Sequence, residues 1–95
     1  MRVKKVLYRG RLAVMADVLK VIRDNGRLRS THIMYKANLS HSLLKEYLQA
    51  LTTNGFIEET KNNDVIYYVI TKKGENFIFE FNKLQGLTHN FKWNS

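Results

Sequence analysis

The chain has no cysteine and no proline. Without cysteine there is no disulfide framework, no thiolate metal site and no cysteine nucleophile. The expected location is the cytoplasm, where disulfides are rare. No proline, internal repeat or low-complexity linker divides the chain. No apolar run is long enough to cross a bilayer, so no membrane partner is expected. At the N-terminus Arg9 and Arg11 interrupt any signal-peptide core. Acids are scarce as well, with 8 Asp and Glu against 16 Lys and Arg, a net charge of +8 and a pI near 9.9.

The charge is unevenly spread. Residues 1–45 carry 11 basic and 2 acidic side chains, and residues 46–95 carry 5 basic and 6 acidic ones. A strongly basic half beside a neutral half points one face at a polyanion. On charge alone that polyanion is a nucleic acid or an anionic membrane surface, and a merely solvated surface is the plain alternative. With 95 residues, 44% of them hydrophobic, the chain suits one small domain with a modest core. A separate effector-binding module is not expected.

Residues 11–25 have helical spacing. Leu12, Met15, Leu19 and Ile22 form one apolar stripe and Val14, Val18 and Val21 a second beside it. One stripe suits the domain's own core, and the other needs a different cover, the last helix or a partner chain. Asn25-Gly26 is a good stop. A second helix is expected over 31–37, capped by Ser30 or Thr31. Asn38 tolerates the left-handed conformation of a sharp turn, and Ser40 suits the cap of a third helix over 41–54. On that helix Leu44, Tyr47, Leu48 and Leu51 fall together, opposite Ser42, Lys45, Glu46, Gln49 and Thr53, with His41 at the edge.

Phe56 to Glu59 and Val65 to Ile70 read as two strands joined by a turn through Lys61, Asn62, Asn63 and Asp64. The second strand, Val-Ile-Tyr-Tyr-Val-Ile, is apolar on both faces, which suits cover on more than one side. Thr71 suits the cap of a last helix over 72–84. Gly74 is a weak spot in its first turn, and Gly86 is expected to end or interrupt it. Residues 1–10 are basic with interleaved apolar groups and fit an arm, a short strand or the start of the first helix. The expected organisation is a basic arm over 1–10, a domain over 11–84 and a tail over 85–95.

Helix, turn, helix and a two-stranded wing is the order of a winged helix-turn-helix domain, which places one helix in the DNA major groove. The fold class is therefore α+β, mainly α: three helices, a two-stranded β wing and a C-terminal helix. Two motifs carry a family resemblance, Tyr35-Lys36-Ala37-Asn38-Leu39-Ser40 at the turn and Ile70-Thr71-Lys72-Lys73-Gly74 before the last helix. With them, residues 11–84 resemble the archaeal winged helix-turn-helix DNA-binding proteins, both small regulators and chromatin-type proteins. The resemblance implies binding to double-stranded DNA. In one branch of that family a long last helix pairs with its copy as an antiparallel coiled coil. Gly86 and the short tail depart from that pattern, so the branch's dimer geometry is not carried over.

The polar face of the third helix is the strongest candidate site. Ser42, Lys45 and Gln49 suit base contacts, and Ser40 and His41 suit a phosphate or base near the helix N-terminus. Glu46 suits cytosine N4 or a neighbouring lysine. Arg27, Arg29, Thr31, His32 and Lys36 are candidates for the backbone, and Lys61, Asn62 and Asn63 for a neighbouring groove. Arg2, Lys4, Lys5, Arg9 and Arg11 suit a sequence-independent electrostatic contribution or a minor groove. Each has a plainer reading as a solvated surface group or a polar hairpin. Phe77, Phe81 and Leu84 form an i, i+4, i+7 stripe, with Ile78, Phe79, Phe91 and Trp93 nearby. Together with Val14, Val18 and Val21 these exceed what one small core needs and suggest a homodimer.

His32, His41 and His89 match no familiar ligand spacing, so neither a metal nor another cofactor is expected. No nucleophile elbow, phosphate loop or carboxylate pair gives catalysis a foothold, and the chain is not expected to be an enzyme. The expected function is double-stranded DNA binding as a transcriptional regulator or chromatin-like architectural protein. The rival reading is a winged-helix protein-interaction module in a larger complex, with weak or no DNA binding.

Overall fold

A computed structural model describes residues 2–90, with side chains given for residues 10–86. The element order is α1 (Arg2–Asn25), α2 (Ser30–Ala37), α3 (His41–Thr53), β1 (Ile57–Asn62), β2 (Val65–Ile70) and α4 (Lys72–Asn90). Local chemistry accounts for most of the boundaries. α1 ends where the Asn25 side chain donates to the Val21 carbonyl at 2.8 Å and Gly26 takes φ 78°. Asn38 takes the left-handed φ 57°, and its N–H turns back to the α2 carbonyls. Two residues later Ser40 caps α3, its side chain accepting from Leu43 N–H at 3.2 Å.

The start of α4 is tied to the end of α3. The Thr71 hydroxyl donates to the Gly55 carbonyl at 2.6 Å and accepts from Gly74 N–H at 3.1 Å. Thr71 N–H also donates to the Phe56 carbonyl at 3.0 Å. This cap holds Gly74 hard against the strand. A Cβ built on Gly74 would run into the Phe56 carbonyl oxygen and lie 2.7 Å from Ile70 Cγ1. Gly74 is thus a close-approach residue, where the sequence suggested only a weak helical position.

The wing is an antiparallel hairpin in the register Ile57↔Ile70 through Asn62↔Val65. Asn63 and Asp64 make its two-residue turn with φ 52° and 65°, the left-handed pair that suits the twist of a hairpin. Leu28 bridges the far edge of β2, exchanging backbone hydrogen bonds with Tyr68 at 3.1 and 2.8 Å. That bridge is one of the covers that the apolar second strand required.

The core joins Val18, Leu19 and Ile22 of α1, Ile33 of α2, Leu44, Leu48 and Leu51 of α3, Ile57 of β1, and Ile78 of α4, with Leu28. Phe56 and Phe77 pack at its edge with ring centroids 5.1 Å apart.

Several expectations are corrected. α1 starts at Arg2, so of the three readings of residues 1–10 the start of the first helix is the one observed. The roles considered for Arg2, Lys4, Lys5 and Arg9 concern side chains outside the described residues. α4 runs through Gly86 to Asn90, because nothing crowds Gly86 and the flanking residues are good helix formers. Phe91 and Trp93 lie outside the described residues. Arg29, not Ser30 or Thr31, is the N-cap of α2, without a side-chain cap bond. Lys61 and Asn62 extend β1, which leaves Asn63 and Asp64 alone in the turn. Val18 is fully buried and Ile78 only 2% exposed, so both belong to the domain's own core and not to a dimer surface. Val14, Val21 and Phe77 pack partly buried against that core, and Leu12 is exposed.

Candidate nucleic-acid interface

Helix α3 divides its surface cleanly. Leu44, Leu48 and Leu51 are buried, whereas His41, Ser42, Lys45, Glu46, Gln49 and Thr53 are exposed. The helical repeat sorts the exposed groups into two columns. His41, Lys45 and Gln49 stand at i, i+4, i+8 on the side toward the wing. Ser42 and Glu46 stand one residue round, facing away from it.

The first column borders a groove of about 500 Å³ between α3, the start of α2 and the wing. Its floor is apolar, from Met34, Leu44 and Leu48. Ser30 and Thr31 of α2 close one end, and Thr52 and Thr53 lie further along α3. Glu59 and Tyr68, paired across the hairpin, form the wing wall. Burial above all, then the neighbouring Glu59 charge and the hydrogen bond to it, raises the Tyr68 phenol above its ordinary pKa. Tyr68 is a neutral phenol at physiological pH, able to donate toward the Glu59 carboxylate.

The groove thus gathers Thr31, His41, Lys45 and Gln49 from the sequence-based candidates. It does not gather the others. Ser40, Ser42 and Glu46 are exposed beside it, and Arg29, His32 and Lys36 lie along the open face of α2. Arg29 Nη2 sits 3.3 Å from His32 Nε2. Lys61, Asn62 and Asn63 are exposed near the far end of the hairpin. Arg27 lies over the Tyr67 ring at 4.4 Å on the outer side of the wing. Among the described residues the ion pairs are Arg23–Asp24 and Lys83–Glu80, so Arg29, Lys36, Lys45 and Lys61 carry uncompensated charge. No group of three His, Cys, Asp or Glu among the described residues is placed to hold a metal.

Sequence reasoning missed three residues of this surface. Glu59 and Tyr68 read as ordinary strand positions, since only the hairpin register turns both toward α3. Tyr35 read as part of the turn motif, yet it is 88% exposed at the centre of the open face of α2. Its helical phase, opposite buried Ile33 and partly buried Ala37, was a usable signal.

Two helices joined by a tight turn, followed by a hairpin packed beside the second, define a winged-helix domain. Comparison with known proteins agrees with that class. Residues 8–89 match the winged helix-turn-helix family, and the chain belongs to it. An uncharacterized protein of Methanocaldococcus jannaschii is 34% identical over 67 residues, covering 70% of this chain and 29% of that protein. The chain therefore spans less than a third of that relative's length.

Among solved structures, the DNA-binding protein Sso10a-2 of Sulfolobus solfataricus superposes with a TM-score of 0.73 at 23% identity. It covers 83% of this chain and 81% of its own. The transcriptional regulator BldR of the same organism gives 0.69 at 16% identity, over 93% and 76% of the two chains. The oxidized form of MarR from E. coli gives 0.69 at 21% identity, over 84% and 63%. These likenesses establish a shared fold. No helix among the described residues is long and apolar enough to cross a membrane.

Proposed function

We propose that this protein binds double-stranded DNA as a transcriptional regulator or chromatin-like architectural protein, with α3 as its recognition helix. The observation that carries the reading is the exposed His41-Lys45-Gln49 column beside the wing in a chain of net charge +8. Long or flexible polar side chains on an exposed helix suit base edges in a major groove. Arg29, Lys36 and Lys61, unpaired and flanking that column, suit phosphates on either side. The similarity to a protein named for DNA binding and to two named as a regulator and a repressor supports the same reading.

We further propose a homodimer. On α4, Gly74 and Ile78 turn into the core, and Phe81 and Leu84 lie beside them on the next strip of surface. Leu84 is 55% exposed, and Phe81 is half-buried and stacked on Phe77 with centroids 6.2 Å apart. A second copy would cover this strip, and a two-fold pair would present two recognition helices to one duplex. Phe79, 61% exposed, points away from the strip and lies under the Lys83 ammonium.

Titrating a short duplex at several salt concentrations tests the reading. Each phosphate neutralised adds about −0.9 to the log–log slope, so Arg29, Lys36 and Lys61 together give about −2.7 per protomer. A salt-independent affinity, or no binding in low salt, sinks DNA binding and leaves the protein-interaction module.

Substitutions on α3 separate surface from core. Lys45→Ala and Gln49→Ala are expected to melt like the unmodified protein. Each should bind its duplex with about 1–3 kcal/mol less discrimination. Leu48→Ala, from a buried site, should cost about 2–5 kcal/mol of stability. Thermal melts and binding curves of the three variants decide it. A Gln49→Ala variant that unfolds beside a harmless Leu48→Ala would reverse the assigned faces.

A further inference from the structure

The groove contains one feature that a DNA-binding surface does not need for affinity, a carboxylate. Glu59 lies on its wing wall, across from Lys45 and Gln49 of α3. The hairpin register fixes which way it faces. Ile57, Glu59 and Lys61 alternate onto one side of β1, and Ile57 is in the core, so Glu59 is on the groove side, where it stays exposed. Its neighbour Glu58, paired with Val69, faces the outer side. Tyr68, half-buried, stands opposite Glu59 across the hairpin, and burial, the Glu59 charge and a hydrogen bond to that carboxylate raise the phenol above its ordinary pKa.

A negative charge in this position opposes every phosphate that approaches the groove. A carboxylate has acceptors only, so it needs a donor. Duplex DNA offers suitable donors in the major groove, the exocyclic amines of cytosine and adenine. Resting on the DNA-binding reading above, we propose that Glu59 is a specificity-determining residue. It disfavours duplexes in general and tolerates those that bring a base amine to its carboxylate. Tyr68 is its positioning residue. Specificity of this kind comes from a repulsive element that the right partner relieves.

The test compares the unmodified protein with Glu59→Gln, Glu58→Gln and Tyr68→Phe. Each is titrated against a random-sequence duplex and against a duplex selected by the unmodified protein. Glu59→Gln should bind the random duplex about tenfold more tightly and the selected one nearly unchanged, so the specificity ratio falls about tenfold. The gain should shrink as salt rises, since a charge effect is screened. Glu58→Gln makes the same charge change on the outer face and should leave the ratio within about twofold. Tyr68→Phe keeps the charge and removes the phenol opposite the carboxylate, and it should lower the ratio by an intermediate factor.

Equal shifts for Glu59→Gln and Glu58→Gln, or an unchanged ratio in Glu59→Gln, would overturn the proposal. An unchanged ratio in Tyr68→Phe would overturn the positioning role. Failure of the unmodified protein to bind any duplex in low salt is a different result, and it removes the DNA-binding reading itself.

Discussion

Replacing Gly74 by alanine is expected to lower the melting temperature by about 8–16 °C, despite alanine's better helix propensity. In an open helical position the change would gain up to about 1 kcal/mol. Here the new methyl meets the Phe56 carbonyl oxygen and lies 2.7 Å from Ile70 Cγ1. Neither neighbour can yield cheaply. Phe56 O is fixed by Thr71 N–H at 3.0 Å, and Ile70 is at the end of the paired strand beside the core. Overpacking of this kind costs about 1–3 kcal/mol, with the high end expected against backbone. The net loss is then about 2 kcal/mol, and each kcal/mol shifts the melt by about 4–8 °C in a domain of this size. Gly86→Ala is the contrast. Nothing lies within 4 Å of its added methyl, and α4 continues through it. That variant should be more stable by about 0.5–1 kcal/mol. Calorimetric melts of the two variants check both signs, and a stabilised Gly74→Ala contradicts the close approach.

Breaking the proposed dimer should give the largest effect on DNA. Phe81→Glu places a carboxylate on the strip that a second copy would cover, and charge without a partner is costly to bury. The expected product is a monomer whose duplex affinity is lower by about 10²-fold or more, because the second recognition helix no longer binds as part of the same molecule. Phe81 also stacks on Phe77, so some stability is lost with it. Leu84→Glu, at a site 55% exposed, separates the two effects. It should dissociate the dimer and lower the melt only by what the lost association contributed. Light scattering at tens of micromolar, with duplex titrations alongside, measures both outcomes. An unmodified protein that scatters as a monomer contradicts the dimer, and the two-helix reading falls with it.

What the sequence revealed was mostly local chemistry. Ser40 and Thr71 cap helices through hydrogen bonds that span three residues, and Asn38 turns on its own conformational tolerance. Such signals depend on neighbours in the chain and can be read without a fold. The buried face of α3 was legible for the same reason, since Leu44, Leu48 and Leu51 repeat at helical spacing. The exposed column opposite followed from that phase.

The misreadings share a cause, in that each depended on contacts distant in sequence. Val18 and Ile78 were grouped with a partner surface because a wheel shows stripes but not what covers them. Helices α1 and α4 pack together and bury both residues inside one protomer. Gly74 was judged by helix propensity, whereas the Phe56 carbonyl decides its role. Gly86 is expected from sequence to end or interrupt α4, yet one glycine costs a helix only about 1 kcal/mol. The wing wall of the groove was invisible, because Glu59 and Tyr68 face α3 only once the register is known.

Selection of bound duplexes from a random pool, at low and at moderate salt, is the most direct measurement of what this protein does. Enrichment of a defined sequence arranged as two related half-sites about one helical turn apart is expected for a dimer reading with α3. Retention of duplex without sequence enrichment would leave an architectural binder. Recovery of no duplex even at the lowest salt would contradict DNA binding outright.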